Sequence, residues 1–133
     1  MAAPYGRLFG ISVTPYAGAY PQILEQVLAA ERGGLDVVGI QDHPYQRRFL
    51  DTFALIGDLL ARTERLRFFP DVASLPMRSP AMMAKAAASL DVLSSGRFEL
   101  ASGRAGSRTT SRRWAVLAGA RASRWKRWRR RSR

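Results

Sequence analysis

The sequence predicts an α/β fold of parallel strand–helix units, on three observations. Short apolar runs alternate with longer segments in which apolar residues recur at helical spacing. The second, third and fourth short runs begin at Leu35, Leu66 and Arg97, so successive units are 31 residues long. That is the length of a strand plus its crossover helix, and right-handed crossovers place such strands parallel in one sheet.

The first two units have well-marked boundaries. The strand Leu8–Val13 precedes a helix that should begin at Pro21, because proline at the first helical position loses no hydrogen bond. Gly33-Gly34 is typical of a helix C-terminus. The second strand, Leu35–Ile40, is apolar without clean alternation, as expected when both of its faces are covered. The second helix should follow Asp51, a favourable N-cap.

The third unit leads into a fourth strand. Its strand, Leu66–Phe69, is followed by a long connection, Asp71–Arg78. Ser79-Pro80 is typical of a helix start, and Ser94–Gly96 of a helix end. Arg97–Leu100 then opens a fourth strand, so the predicted order is β-α-β-α-β-α-β.

Two architectures agree with this order: a doubly wound open sheet and the first half of a (β/α)8 TIM barrel. The absence of Gly-x-Gly-x-x-Gly after the first strand weighs against a dinucleotide-binding sheet. A complete barrel needs about 250 residues. With 133 residues, the chain is expected to form about the first half of a barrel, within residues 1–100.

Composition limits the chemistry and the compartment. The chain has no cysteine, which excludes disulfides, thiolate catalysis and zinc–cysteine sites, and no metal site is predicted. The lack of cysteine agrees with a reducing compartment, and we expect a cytoplasmic protein. No apolar run reaches the length of a membrane span, and no secretory signal pattern is present at the N-terminus.

Charge divides the chain in two. Residues 1–100 balance 10 basic against 10 acidic side chains, whereas residues 101–133 hold 12 basic residues, no acidic one and all three tryptophans. Cationic side chains contact phosphates and aromatic rings stack on bases. Non-specific contact of this tail with nucleic acid is therefore expected, and a small basic protein that binds nucleic acid or anionic surfaces is the alternative function.

Three polar residues, Gln41, Asp42 and His43, follow the second strand directly. Active sites of parallel barrels lie where the strands end, so these side chains are candidates for proton transfer. His43 is the only histidine of the chain. An unperturbed imidazole has a pKa of about 6.5 and exchanges protons near neutrality. The alternative is a structural pair in which the two side chains satisfy each other or the backbone.

Four stretches in order and spacing resemble the luciferase-like monooxygenase family, barrel enzymes that use FMN or the deazaflavin F420. They are LFGISVTP, AAERGGLDVVGIQDHPY, FPDVASLPMRSPAMMAKAAASLDVLSSG and RFEL. The resemblance implies hydride transfer between the cofactor ring and a small organic substrate, and usually a homodimer. The Asp42–His43 pair resembles the F420-using branch, so F420 is the expected cofactor and FMN the alternative.

The resemblance also implies roles for individual residues. His43 would act as acid or base toward the substrate, and Asp42 would approach the deazaflavin. The family often has a non-proline cis peptide behind the ring after the third strand, a place that Asp71, Val72, Ala73 and Ser74 occupy here.

Two further positions are open to more than one interpretation. Ser12, at the end of the first strand, could line the ring pocket or simply cap a strand end. Arg78 could meet an anionic cofactor or substrate, but a solvated arginine is the expected outcome.

The resemblance stops after RFEL. The family continues there with a glycine-rich strand end and an acidic helix, whereas this chain continues with ASGRAGSRTT and an arginine-rich tail. With G+C-rich codons, one nucleotide restored after Leu100 gives a glycine turn and an acidic helix. We therefore hypothesise that residues 101–133 come from a shifted reading frame and are disordered, and that the chain is an incomplete, inactive enzyme. Resequencing the gene across Leu100 tests this hypothesis.

Overall fold

The computed structural model describes residues 7–103 and the backbone of residues 116–117. The strands are β1 (Gly10–Val13), β2 (Val37–Ile40), β3 (Arg67–Pro70), β4 (Ala73–Ser74), β5 (Leu100–Gly103) and β6 (Val116–Leu117). The helices are α1 (Tyr20–Arg32), α2 (Thr52–Ala61) and α3 (Pro80–Leu93), with 3-10 turns at Ala17–Ala19 and Leu75–Met77. The predicted alternation of strands and helices is confirmed, and β4 is added within the predicted connection.

The first three strands form a parallel sheet in the order β1-β2-β3. The chain before β5 continues this sheet, because the N–H of Phe68 donates to the carbonyl of Arg97 and the N–H of Glu99 donates to that of Phe68, both at 2.9 Å. β5 then runs parallel to β4, and β6 pairs antiparallel with β5. The parallel strands from β1 to β5 therefore lie side by side in chain order, as in a barrel, without the reversal that defines a doubly wound sheet. The antiparallel pairing of β6 departs from the barrel pattern.

The fourth strand lies further along the chain than predicted. Phe98 makes only an isolated bridge to Phe68, and the regular strand runs from Leu100 to Gly103. The reason is that Ser102 and Gly103 pair with β4, while Leu100 and Ala101 pair with β6. The boundary predicted after Leu100 thus falls inside a strand, and nearly all of the predicted tail lies outside the described residues.

One face of the sheet carries the hydrophobic core. The side chains of Val13, Val38, Ile40 and Phe68 are buried on this face, at alternate positions of their strands. All three helices pack against it. Their buried residues are Ile23, Val27 and Ala30 of α1, Phe53, Leu55, Ile56, Leu59 and Leu60 of α2, and Met83 of α3. The opposite face, with Ser12 exposed and Phe69 partly buried, is more open.

Local signals explain where the helices begin and end. Asp51 caps α2 as predicted, because its Oδ1 accepts a hydrogen bond from the N–H of Ala54 at 3.0 Å. Pro21 lies in the first turn of α1. α1 and α3 are each followed by a glycine with positive φ, Gly34 at 77° and Gly96 at 92°, a conformation that costs glycine least. Within the described residues, no helix is long and apolar enough to cross a membrane.

A carboxylate ties α1 to the start of β3. The Glu31 side chain accepts hydrogen bonds from the N–H groups of Glu64, Arg65 and Leu66, at 3.1, 2.8 and 3.0 Å. Burial raises the pKa of Glu31, but these three donors outweigh burial and the pKa is lowered. These hydrogen bonds hold the turn directly before β3 against α1. They therefore help to position β3 and the segment that follows it.

Candidate active site

The candidate site lies where β1, β2 and β3 end. Ser12 pairs with Gly39 of β2, which pairs with Phe69 of β3, so these three positions share the open face of the sheet. The Ser12 hydroxyl donates to Oδ2 of Asp71 at 3.3 Å. A Cβ added to Gly39 would lie 3.0 Å from the Phe69 ring and 3.3 Å from Cβ of Asp71. Glycine therefore gives Phe69 and Asp71 room to lie across β2.

The segment after β3 has the geometry that the family resemblance implies. The peptide bond between Asp71 and Val72 is cis, although neither residue is proline. Asp71 and Val72 are partly exposed, whereas Ala73 and Ser74 are buried. Ala73 belongs to the hydrophobic core. Of the four predicted residues, only the first two therefore offer side-chain surface to a ligand.

Asp42 is buried at the end of β2 and is paired there. Its Oδ2 accepts hydrogen bonds from the N–H of Ser74 and from Nε of Arg78, both at 2.9 Å, and its Oδ1 accepts from Nη2 of Arg78 at 2.6 Å. Burial raises the pKa of Asp42, but these donors outweigh burial and the pKa is lowered. Asp42 is thus a carboxylate that holds the Ser74–Arg78 segment against β2.

Arg78 is not the solvated arginine that the sequence led us to expect. Its side chain is only 18% exposed, and Nη2 also donates to Oδ2 of Asp51 at 2.7 Å. Its guanidinium carbon lies 4.6 Å from the centroid of the Phe53 ring. The hydrogen bond to Asp42 contributes most to raising the pKa of Arg78. The prediction was wrong because two carboxylates, 36 and 27 residues away along the chain, converge on one guanidinium.

His43 lies beside this ion pair and is partly buried. Its Nδ1 is 2.8 Å from the Tyr45 hydroxyl oxygen, and its ring centroid is 6.2 Å from that of Phe49. A cleft of about 190 Å³ opens next to it. The cleft is lined by Asp42, His43, Pro44, Gln46, Phe49, Leu50, Asp51 and Arg78.

This arrangement separates two kinds of group. Asp42 and Arg78 neutralise each other, so neither is placed to exchange protons. His43 has a ring nitrogen that no side chain of the described residues occupies, and it borders a cleft that can hold a small molecule. Within the same part of the chain, no group of three or more histidine or carboxylate side chains could hold a metal ion.

The predicted site residues fall into two neighbouring groups. Ser12 contacts Asp71 on the open face, while Asp42 contacts Ser74 and shares the cleft with His43. The ion pair of Arg78 is not predictable from the sequence, because it has no local pattern. Tyr45 was not predicted either, although an aromatic hydroxyl two residues from the only histidine was a usable signal.

Comparison with known proteins gives the same assignment as the fold. Residues 7–131 match the luciferase-like monooxygenase family, a range that extends past Leu100 into the basic segment. Pyrimidine monooxygenase RutA of Variovorax paradoxus (strain S110) is 31% identical over 103 residues, which is 71% of this chain and 28% of that protein. The chain thus spans just over a quarter of the length of that relative.

Solved structures agree in fold. The coenzyme F420-dependent tetrahydromethanopterin reductase from Methanopyrus kandleri superposes with a TM-score of 0.66 and 23% identity, over 80% of this chain and 29% of that one. The oxygenating constituent of 3,6-diketocamphane monooxygenase from Pseudomonas putida, in complex with FMN, superposes with a TM-score of 0.68 and 23% identity, over 80% of this chain and 32% of that one. From the family match and this fold, we conclude that the chain belongs to the luciferase-like monooxygenase family.

Proposed function

We propose that the chain supplies the first strand–helix units of an oxidoreductase barrel that uses F420, with FMN as the alternative, on a small organic substrate. The observation that supports this most is the place of His43. It borders a cleft at the carboxyl ends of parallel strands, where barrel enzymes bind their ligands, next to a buried Asp42–Arg78 pair. Family membership supports redox chemistry as the reaction class.

The open face beside the cleft is suited to a flat ring. Ser12 and Gly39, a small residue and a glycine, are neighbours on adjacent strands there, and the partly exposed Val72 follows the cis peptide. When bound, the cofactor would supply the redox centre that donates or accepts a hydride. Ser12, Asp71 and Val72 would contact the ring, and the backbone of Ala73 and Ser74 would hold them in place.

F420 is proposed ahead of FMN because of the Asp42–His43 pair. One similar structure is of an F420-dependent enzyme and another contains FMN, so likeness of fold alone supports both cofactors. In this proposal Asp42 acts mainly as an anchor, because its oxygens already accept three hydrogen bonds. His43 meets an oxygen of the substrate and donates to it, as a hydrogen-bond donor in the neutral ring or as an acid in the protonated ring. A homodimer, usual in the family, is part of the proposal.

Titration of the purified chain with F420 and with FMN, followed by ring fluorescence and anisotropy, tests the proposal. Saturable binding of at least one ring is expected, with F420 the tighter ligand. Ser12→Leu should weaken binding tenfold or more, by our order-of-magnitude estimate for a blocked contact face. The matched change Ser89→Leu, at an exposed position of α3, should leave binding unchanged.

His43→Gln separates binding from chemistry. The variant should still bind F420 or FMN, because the proposal places His43 against the substrate rather than against the cofactor. Absence of saturable binding for both rings would overturn the proposal. A parallel titration with a short DNA duplex at two salt concentrations tests the basic-protein alternative, which the comparisons do not support.

A further inference from the structure

We propose that Tyr45 is a positioning residue for His43, and that it keeps the proton of the imidazole on Nε2, the nitrogen available to a ligand. This inference rests on the proposed function, in which His43 meets an oxygen of the substrate. It assigns His43 a definite role there: its Nε2–H group donates a hydrogen bond to a carbonyl or hydroxyl oxygen.

The loop after β2 brings the two side chains together. The N–H of Gln46 donates to the carbonyl of His43 at 2.9 Å, which closes a four-residue turn. Pro44 occupies the second position of this turn, where its fixed φ is favourable. The turn places the Tyr45 hydroxyl 2.8 Å from Nδ1 of His43, with the ring centroids 5.4 Å apart.

A second aromatic ring, that of Phe49, lies near the imidazole. The Phe49 ring lies 6.2 Å from that of His43, and the Tyr16 ring packs edge-on against Phe49 at 4.8 Å. Tyr16 and Phe49 also form a backbone bridge, which ties the loop to the segment after β1. The His43 ring therefore has a hydrogen-bond partner at Nδ1 and an aromatic neighbour in Phe49.

The chemistry of the two groups determines where the proton lies. A neutral imidazole has one N–H and one acceptor nitrogen, and the bond at one nitrogen fixes the state of the other. A phenol is a stronger donor than acceptor, so in the neutral ring the Tyr45 hydroxyl donates to Nδ1 and the proton resides on Nε2. In the protonated ring, Nδ1–H donates to the Tyr45 oxygen and Nε2 again carries a proton. Nε2 is thus a donor in both states.

The single histidine makes a direct test possible, because the imidazole resonances of the chain can come only from His43. Long-range 1H–15N NMR of the full chain at pH 9, where an imidazole is neutral, measures the ratio of the Nε2–H to the Nδ1–H form. We expect the Nε2–H form to dominate in the wild type. In Tyr45→Phe the ratio should fall by about three- to tenfold, the effect of one lost hydrogen bond.

Tyr16→Phe is the matched control, because it removes a hydroxyl from another exposed tyrosine, one that does not bond His43. It should leave the ratio as in the wild type, and circular dichroism should show both variants folded. A ratio unchanged in Tyr45→Phe overturns the inference. So does a ratio that moves toward Nε2–H, which would mean that Tyr45 accepts rather than donates, or one that changes equally in Tyr16→Phe.

The measurement needs neither cofactor nor substrate, so its failure is distinct from failure of the proposed function. If F420 or FMN binds and Tyr45→Phe leaves the ratio of the two imidazole forms unchanged, only this inference fails. If the ratio changes but neither F420 nor FMN binds, the hydrogen bond from Tyr45 to His43 is supported and the redox proposal fails.

Discussion

At the scale of single residues, the least replaceable side chain near the site is Arg78. It neutralises the buried carboxylate of Asp42 and also pairs with Asp51, the cap of α2. Removing one partner of a buried pair leaves an uncompensated charge, which costs more than the pair itself contributes. The network therefore couples the end of β2, the segment after the cis peptide and the start of α2.

Arg78→Met removes the guanidinium, and with it both ion pairs and the contact with the Phe53 ring, but keeps an apolar side chain of similar length. We expect the free energy of unfolding at pH 7 to fall by about 3 kcal/mol, measured by urea denaturation. The difference in the free energy of unfolding between the wild type and Arg78→Met should become smaller at acid pH. The paired Asp42 has a lowered pKa, so it stabilises the wild type above about pH 4, its ordinary range, and this stability is lost as Asp42 is protonated at lower pH.

The exposed loop residue Arg47 provides the control for charge alone. Arg47→Met should change stability by no more than about 0.5 kcal/mol. Equal denaturation midpoints for the two variants would show that the Asp42–Arg78 pair does not stabilise this fold.

The sequence predicted Asp42 and His43 because both follow a recognisable strand, and strand ends are where barrel sites lie. It could not predict the partner of Asp42. That ion pair joins residues 36 positions apart and depends on the path of the segment after the cis peptide. Two residues so far apart in the sequence come together only in the folded chain, and their pairing produces no periodic pattern in the sequence.

At the scale of secondary-structure elements, Glu31 links α1 to β3 by three backbone hydrogen bonds. Glu31→Gln keeps an acceptor but removes the charge. We expect a loss of about 1–2 kcal/mol at pH 7 by urea denaturation. Because the folded pKa of Glu31 is lowered, its contribution is complete above about pH 4.3 and is lost as the pH falls through the folded value.

Glu25→Gln is the matched change on an exposed position of the same helix. It should have little effect at any pH between 3 and about 8. If Glu25→Gln and Glu31→Gln gave the same stability across this range, the link between α1 and β3 would contribute nothing.

Helices and strands differ in how well their local sequences predict their boundaries. Helix boundaries were predicted within about a residue because Asp51, Pro21 and Ser79-Pro80 act locally. β4 was missed because it has two residues, and only its pairing with β5 makes it a strand. Pairing with β4 and with β6 places the fourth strand further toward the C-terminus, an effect of tertiary contact that local propensity does not include.

At the scale of the whole molecule, three helices cover one face of a parallel sheet whose strands follow chain order. The even spacing of the units predicted parallel strands but left two architectures open. The neighbour relations of the strands decide between them, since a doubly wound sheet reverses its order at the switch point. The spacing could not reveal this, because helix length is similar in both folds.

Phe68 tests this arrangement, because it is fully buried where β3 meets the helix layer, whereas Phe9, before β1, is 63% exposed. Phe68→Ala should lower the free energy of unfolding by about 3–5 kcal/mol, the usual cost of removing a core aromatic ring. Phe9→Ala should cost no more than about 0.5 kcal/mol. Chemical denaturation followed by circular dichroism measures both. Similar small losses would mean that the helices do not bury this face of the sheet, and the placing of His43 at a strand end would then lose its physical basis.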